Sequence, residues 1–325
     1  MAKLTFSTPA PRRIGLIINL RSHVNKSHPI DLAAVQARHP DLRVAAPADL
    51  GALRDTLAGF AEEGVDLLVV SGGDGTVRDV LSAFPPAYAA QPPELAILSA
   101  GNTNLAARVL GSAGSGDAAL DRLLRAAHAG RLHRKTCPVL EVSWPDEPGR
   151  PPLVGFLFGT AGFTEAKTVA NLVVRRQGFS HGLEVAATLF VTALRALVGR
   201  NSPIRQGWSM SLAVEGRPAI AGKRFLVMAT TLDSLMLGLW PFWGRGSGGI
   251  RWLDIDAPPR RFAAGLLAVM LRRPRPWMIR SGYRSGRGNA IRMMFDQPFI
   301  LDGEAFEARA GVLLSTAGSV TVVAP

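Results

Sequence analysis

Three short stretches carry residue types at spacings that could do chemistry. The first is VVSGGDGTVRDVL, Val69–Leu81, in which an apolar run meets Gly72-Gly73-Asp74-Gly75-Thr76. Glycine has no Cβ, so it admits positive φ and lets backbone N–H groups approach a phosphate, and a helix start adds positive potential. Thr76 would cap that helix or bond a phosphate oxygen. Asp74 is out of place in an anion cradle unless a cation sits there, and Mg²⁺ held through water with nucleotide phosphates supplies one. The competing reading is an ordinary strand-to-helix turn with aspartate as a cap. The second stretch, Ser99-Ala100-Gly101-Asn102-Thr103-Asn104, also leads from an apolar run into a helical one and offers neutral hydrogen bonds to ribose or phosphate. The third is PFILDGEAFEA, Pro298–Ala308, where Asp302 and Glu304 flank Gly303. Residues two apart in extended chain share a side, and two carboxylates sharing a site push one pKa up and can act as a general base. Asp-Gly is equally a hairpin signal, and on spacing alone a tight turn is the favoured reading.

Other chemistries find little support. The single cysteine, Cys137, excludes an internal disulfide framework and a cysteine zinc site, and the six histidines show no metal-binding spacing. The start, MAKLTFSTPAPRR, has no apolar run before its arginines and so no secretory pattern. The best membrane-span candidate, Gly182–Gly199, contains Glu184 and Arg195 at helical period and reads as amphipathic. A cytoplasmic protein, peripheral to the inner membrane, is the expectation. The formal charge is +12, unevenly spread: residues 1–140 hold 15 basic and 12 acidic side chains, residues 141–325 hold 22 and 13. The later part should favour an anionic membrane surface, although an arginine-rich composition would give the same excess. No nucleic-acid-binding module is recognisable, and a homodimer is compatible with the sequence.

The elements that must position these stretches alternate in type. Ile14–Asn19, Val65–Val70 and Leu95–Ser99 read as buried strands. Leu50, Leu53, Leu57 and Phe60, then Val77, Val80, Leu81 and Phe84, then Leu105 and Val109 before Gly111, mark helices between and after them. Such alternation predicts a parallel sheet covered by helices, with the two loops side by side at the strand ends, where ligands bind in such sheets. Beyond Arg134 the pattern changes to short strands at Leu153–Phe158, Ser209–Val214, Lys223–Ala229 and Ala290–Phe295, with a hairpin turn at Glu215–Pro218. One helix, with Leu183, Ala187, Phe190, Leu194 and Leu197 on a face, interrupts them. The expected fold class is an N-terminal α/β nucleotide-binding domain with a parallel sheet, residues 1–134, followed by a mainly antiparallel β-rich domain, residues 135–310.

The stretches SGGDGTVRDVL, LAILSAGNTNLAARVLG and FILDGEAF, in this order, resemble the diacylglycerol kinase catalytic family, which includes sphingosine, ceramide and bacterial lipid kinases. The resemblance implies ATP binding by Gly72, Gly73, Asp74, Gly75, Thr76, Val77 and Arg78, with Gly101, Asn102 and Asn104 beside them. It implies Mg²⁺ at Asp74 through water, activation of a lipid hydroxyl by Asp302 or Glu304, with Glu304 the usual family assignment, and a last strand, about 311–325, that returns to the first domain. The lipid would be diacylglycerol, ceramide or a sphingoid base. Leu105 stands where the family has an aspartate that organises water around Mg²⁺, Thr136 where another aspartate often follows, and Gly248-Gly249 where an Asp-Gly often holds a structural metal. The early family loop is present only as Asn19-Leu20-Arg21-Ser22. Phosphorylation of a soluble nucleotide such as NAD, and a catalytically inactive nucleotide-responsive membrane-binding protein, are the alternatives. Apolar and aromatic residues beside arginines in Thr231–Gly246 and Gly265–Arg280, among them Arg272, Arg273, Arg275 and Trp277, suit a bilayer interface or a domain core.

Overall fold

Runs of branched apolar residues form strands when both faces are covered, and the first half of the chain supplies them. A computed structural model describes residues 12–27, 31–101, 103–164, 203–235, 240–271 and 273–325. The chain divides into two compact units. One takes Met1–Thr76, Ala83–Thr136 and Val320–Pro325, the other Val77–Ser82 and Cys137–Ser319.

In the first unit, β1 (Ile14–Ile18) and β3 (Leu67–Gly72) are buried at every residue. With β2 (Arg43–Ala45) and β4 (Glu94–Ser99) they form a parallel sheet in the order β2-β1-β3-β4. Val322 and Val323, at the end of the last strand, pair in parallel with Leu95 and Ala96 on the outer edge of β4. The helices of this half of the chain are α1 (His23–Ser27), α2 (Leu32–Arg38), α3 (Leu50–Glu62), α4 (Asp74–Ser82), which opens in the first unit and continues in the second from Val77, α5 (Pro86–Ala90), α6 (Leu105–Leu110) and α7 (Asp117–His128). Asp31 and Asp49 begin α2 and α3 by accepting from the N–H groups of Ala34 and Ala52, satisfying donors that a helix leaves unpaired. One core packs Ile14, Leu16 and Ile18 against Val35 of α2 and Leu120, Leu123 and Leu124 of α7. Across β1, Gly15 admits the Phe60 ring of α3, which a Cβ would meet at 2.7 Å. Leu50 opens α3 and is exposed at its first turn, while Leu53, Leu57 and Phe60 are buried, and the helix α4 stops at Ser82 short of Phe84.

The second unit is antiparallel and rich in strands: β5 (His133–Ser143), which begins in the first unit, β6 (Leu153–Gly155), β7 (Leu157–Ala161), β8 (Trp208–Val214), β9 (Ile220–Thr230), β10 (Ile250–Asp256), β11 (Tyr283–Gly288), β12 (Ala290–Met294), β13 (Phe299–Leu301), β14 (Glu304–Phe306) and β15 (Val312–Ala324). Two helices, α8 (Phe262–Met270) and α9 (Pro276–Arg280), lie between β10 and β11. The sheet runs β14-β13-β7-β9-β8-β12-β15, and β9 also pairs with β10, which carries β11. β8 and β9 form the hairpin expected around Glu215–Pro218. The core holds Phe158, Phe299, Trp252, Met293 and Leu314. The expected single strand Leu153–Phe158 is two strands, interrupted at Phe156, because the N–H groups of Phe156 and Leu157 turn to the carboxylate of Asp302. The fold class is thus an α/β unit with a parallel sheet and a mainly antiparallel β-rich unit. The expected helix over Leu183–Leu197 and the candidate span Gly182–Gly199 lie outside the described residues. Among the described residues no helix is long and apolar enough to cross a membrane.

Candidate functional site

In the first unit the glycine stretch is a turn one residue wide. β3 ends at Gly72 and α4 begins at Asp74. Neither Gly72 nor Gly73 uses positive φ; both are needed for close approach. A Cβ on Gly72 would collide with the Thr76 side chain, and one on Gly73 would stand 3.0 Å from the Cα of Gly101. A Cβ on Gly101 would in turn stand 2.6 Å from the Cα of Gly73, so the two loops touch through bare backbone. The Thr76 hydroxyl accepts from the Asn19 side-chain amide at 2.8 Å. Asn25, buried, donates to Ser71 Oγ at 3.1 Å and to the Asn19 carbonyl at 3.0 Å, tying the end of β1 to the end of β3.

Asp74 works differently from the expectation. Its Oδ2 accepts from the N–H of Leu105 and its Oδ1 from the N–H of Ala106, each at 2.9 Å. It caps α6, whose own preceding residue, Asn104, makes no side-chain cap. Burial pushes the Asp74 carboxyl above the usual carboxylate range, against the pull of the two amides and of Arg108. Leu105 is buried and contributes its N–H to this cap. Asn104, expected to reach a ligand, closes its own loop: its amide donates to the Gly101 carbonyl at 2.7 Å and its Oδ1 accepts from the Gly101 N–H at 3.0 Å. Asn102 lies outside the described residues. The N–H groups of Asp74, Gly75 and Thr76 open α4 and have no carbonyl within the helix, which suits a phosphate.

A protein-held magnesium ion fits less well. Asp74 is the only carboxylate in the two loops and both its oxygens already accept amides. Among the described residues no three His, Cys, Asp or Glu side chains group to hold a metal. Thr136 bonds the Thr321 hydroxyl at 3.0 Å. A Cβ on Gly248 would collide with the backbone of Gly288, so close packing accounts for glycine there.

In the second unit Asp302 and Gly303 have φ of 46° and 84°, and Leu301 pairs with Glu304 across them. This is a two-residue hairpin turn with both central residues left-handed, the conformation for which Asp-Gly is favoured. The extended geometry that would have put both carboxylates on one side is absent. Asp302 points into the fold, where its oxygens accept from Phe156 N at 3.0 and 3.1 Å and from Leu157 N at 2.9 Å. Glu304 stays 57% exposed, with one oxygen 2.7 Å from Nη2 of Arg78. The hairpin is anchored by ring contacts of Phe299 with Phe158 and Phe306, at 5.1 and 5.7 Å between centroids.

Arg78 and Val77, expected at the nucleotide, belong to this unit. Val77 is buried. Arg78 is 3% exposed, and its guanidinium is committed to Glu304, to Asp79 at 2.6 Å and to the Phe306 ring at 4.9 Å. Burial opposes the Arg78 charge, but Asp79 and Glu304 outweigh it. Asp79 was not singled out by spacing. Burial raises its carboxyl, Arg78 opposes the rise, and the Glu304 charge adds to it. An Arg-Asp pair four residues after the loop aspartate is the signal that would have flagged it.

Residues 13–132 match the family model for the diacylglycerol kinase catalytic domain. No curated protein matches the chain by sequence. Among solved structures, a candidate diacylglycerol kinase from Bacillus anthracis str. Sterne superposes with a TM-score of 0.61 at 16% identity, covering 97% of this chain and 98% of that one. A diacylglycerol kinase from the same source gives 0.54 at 17% identity, with 97% of each chain covered. A further candidate diacylglycerol kinase from it gives 0.57 at 16%, covering 98% and 99%. At these identities the structures speak for the fold, and the loops at Gly72–Thr76 and Gly101–Asn104 both fall inside the matched segment. Over residues 13–132, the chain is therefore similar to the diacylglycerol kinase catalytic domain.

Proposed function

We propose that the protein transfers the γ-phosphoryl group of ATP to the hydroxyl of a lipid alcohol at a membrane surface. The observation that carries this reading beyond the family match is the pairing of Glu304 with Arg78. Within the second unit it fixes an exposed carboxylate beside Arg78, 226 residues earlier in the chain. Phosphoryl transfer asks mainly for positioning and charge stabilisation, so a phosphate cradle and one proton acceptor suffice.

The free N–H groups at the start of α4 would hold phosphate oxygens, and Gly72, Gly73 and Gly101 leave the backbone bare for that approach. Glu304 would accept the proton of the lipid hydroxyl. Arg78 orients it, and when Glu304 takes up a proton the buried guanidinium keeps Asp79 as counter-charge. Asp302 positions Glu304 by fixing the turn from within. Mg²⁺ would travel with the ATP phosphates rather than sit in a protein cage.

The test is transfer of radiolabelled phosphate from ATP, with Mg²⁺, to diacylglycerol, monoacylglycerol, ceramide, sphingosine and NAD. A labelled lipid is expected. Labelling of NAD alone would replace the lipid with a soluble nucleotide, and nucleotide binding without any transfer would make the protein a non-catalytic relative.

A further inference from the structure

A helix on the surface of a water-soluble unit normally turns a polar stripe outward. α8, with sequence FAAGLLAVM, has none. Its inner face is defined by contacts: Phe262 meets Phe225 edge-on at 5.1 Å, Gly265 lies against the Tyr283 ring, and Ala268 is buried. Its outer stripe is Ala263, Ala264 and Leu267, continued by Leu271, all exposed. Leu267 and Leu271 are 57% and 58% exposed, and Ile279 on the following short helix α9 is 68% exposed. These three are half of the large exposed hydrophobics among the described residues, yet they fall within thirteen residues of sequence.

The charges around them have one sign. From Ala257 to Phe295 the chain has nine arginines and no acidic residue. Arg260, Arg261, Arg273, Arg275 and Arg280 are exposed, and no described acidic side chain pairs with them. Trp277, packed against Tyr283 and beneath Arg261, joins the apolar inside to the charged rim. Apolar side chains that protrude, with arginines beside them, are what a monotopic segment presents to the boundary between acyl chains and headgroups. A second copy of the chain would bring the same arginines against themselves.

We infer that α8 and α9 form a docking surface for an anionic lipid bilayer, with Leu267, Leu271 and Ile279 entering the acyl region and the five arginines binding headgroup phosphates. It rests on the proposed function only for its purpose, which is to reach a substrate dissolved in the bilayer. Removing the three apolar anchors, each worth roughly tenfold or more in partitioning, and removing the arginines, each worth roughly fivefold, should act independently.

The experiment is co-sedimentation of the full chain with phosphatidylcholine vesicles, with and without about 30% phosphatidylglycerol. It is run in parallel with phosphate transfer to a water-soluble short-chain diacylglycerol without vesicles. Binding should need the anionic lipid and weaken between about 0.1 and 0.5 M salt. The variant Leu267→Ser/Leu271→Ser/Ile279→Ser should lose roughly a hundredfold or more in binding while keeping its melting temperature and its short-chain activity. A second variant, with the five arginines changed to glutamine, should lose the preference for phosphatidylglycerol. Unchanged binding in both variants overturns the inference, as does a wild-type dimer that the serine variant dissolves while vesicles bind neither form. Loss of binding in the variants with no short-chain activity in any form leaves the docking surface standing and refutes the kinase reading instead.

Discussion

Asp302 and Glu304 are two residues apart, and the structure gives them opposite surroundings, whose consequences one pair of substitutions separates. The Asp302 carboxylate accepts from two backbone N–H groups, at Phe156 and Leu157, that have exchanged their place in a continuous strand for it. Hydrogen bonds to an ionised group each contribute about 1.5–3 kcal/mol, and leaving a buried donor without a partner costs a similar amount. Asp302→Ala should therefore cost the fold about 2–4 kcal/mol, which for a unit of this size corresponds to a fall in Tm of about 5–15 °C. Glu304 is 57% exposed and its partner Arg78 keeps Asp79, so Glu304→Gln should change stability by less than about 1 kcal/mol. In activity the order reverses. Glu304→Gln removes the proposed proton acceptor and should lower kcat ~10²–10⁴-fold. Asp302→Asn retains an acceptor for one of the two amides and should lower activity mainly as far as the turn loosens. Thermal melts, and kcat with a short-chain diacylglycerol, read both quantities. If Asp302→Asn keeps the wild-type Tm but loses as much kcat as Glu304→Gln, Asp302 takes part in the chemistry and the assignment of roles is wrong.

Two further outcomes follow from carboxylates whose surroundings sequence spacing did not anticipate. Asp74→Ala removes the cap of α6 and should lower stability by about 1 kcal/mol as well as turnover; the folded state raises this pKa, so the stability Asp74 contributes is fullest below its unfolded value near 4 and declines as pH rises through the folded value, and a melt series whose wild-type-minus-variant gap widens with pH would contradict the environment described. Asp254 is fully buried between Arg224, at 3.1 Å, and Arg284, at 2.8 Å, so Asp254→Ala should cost about 3 kcal/mol by stranding charge in the second unit, and an unchanged denaturant midpoint would show that the cluster is solvated.

The parallel strands were legible because burial on both faces leaves an unbroken apolar run, as in Ile14–Ile18 and Leu67–Val70. Leu50 shares the helical spacing of Leu53, Leu57 and Phe60 yet is exposed, because spacing says which residues share a face and not where the core ends. The break at Phe156 was not legible at all, since its cause lies 146 residues away in Asp302. The glycines were legible as necessary, but the reason differs: Gly73 and Gly101 need each other's bare backbone, whether or not a phosphate approaches. Asp74 and Asn104 looked like ligand groups because short motifs show side chains and hide the amides that those side chains serve. Asp-Gly did announce its turn, and the turn is what separates Asp302 from Glu304.

The strand β15 has a consequence for how the chain is made. Its first residues, Val312–Ser315, pair with β12, and Val322 and Val323 close the outer edge of β4. Ala113 and Gly114 cover the Ile97–Ser99 half of that edge, but the Leu95–Ala96 half stays open until the ribosome has added residue 323. An open edge is a template for pairing with another chain, and synthesis at about 5–20 residues per second leaves it uncovered for tens of seconds. A fragment ending near residue 132 never closes it. Such a fragment should aggregate when expressed alone, and supplying the hexapeptide Val320–Pro325 through a linker should restore its solubility.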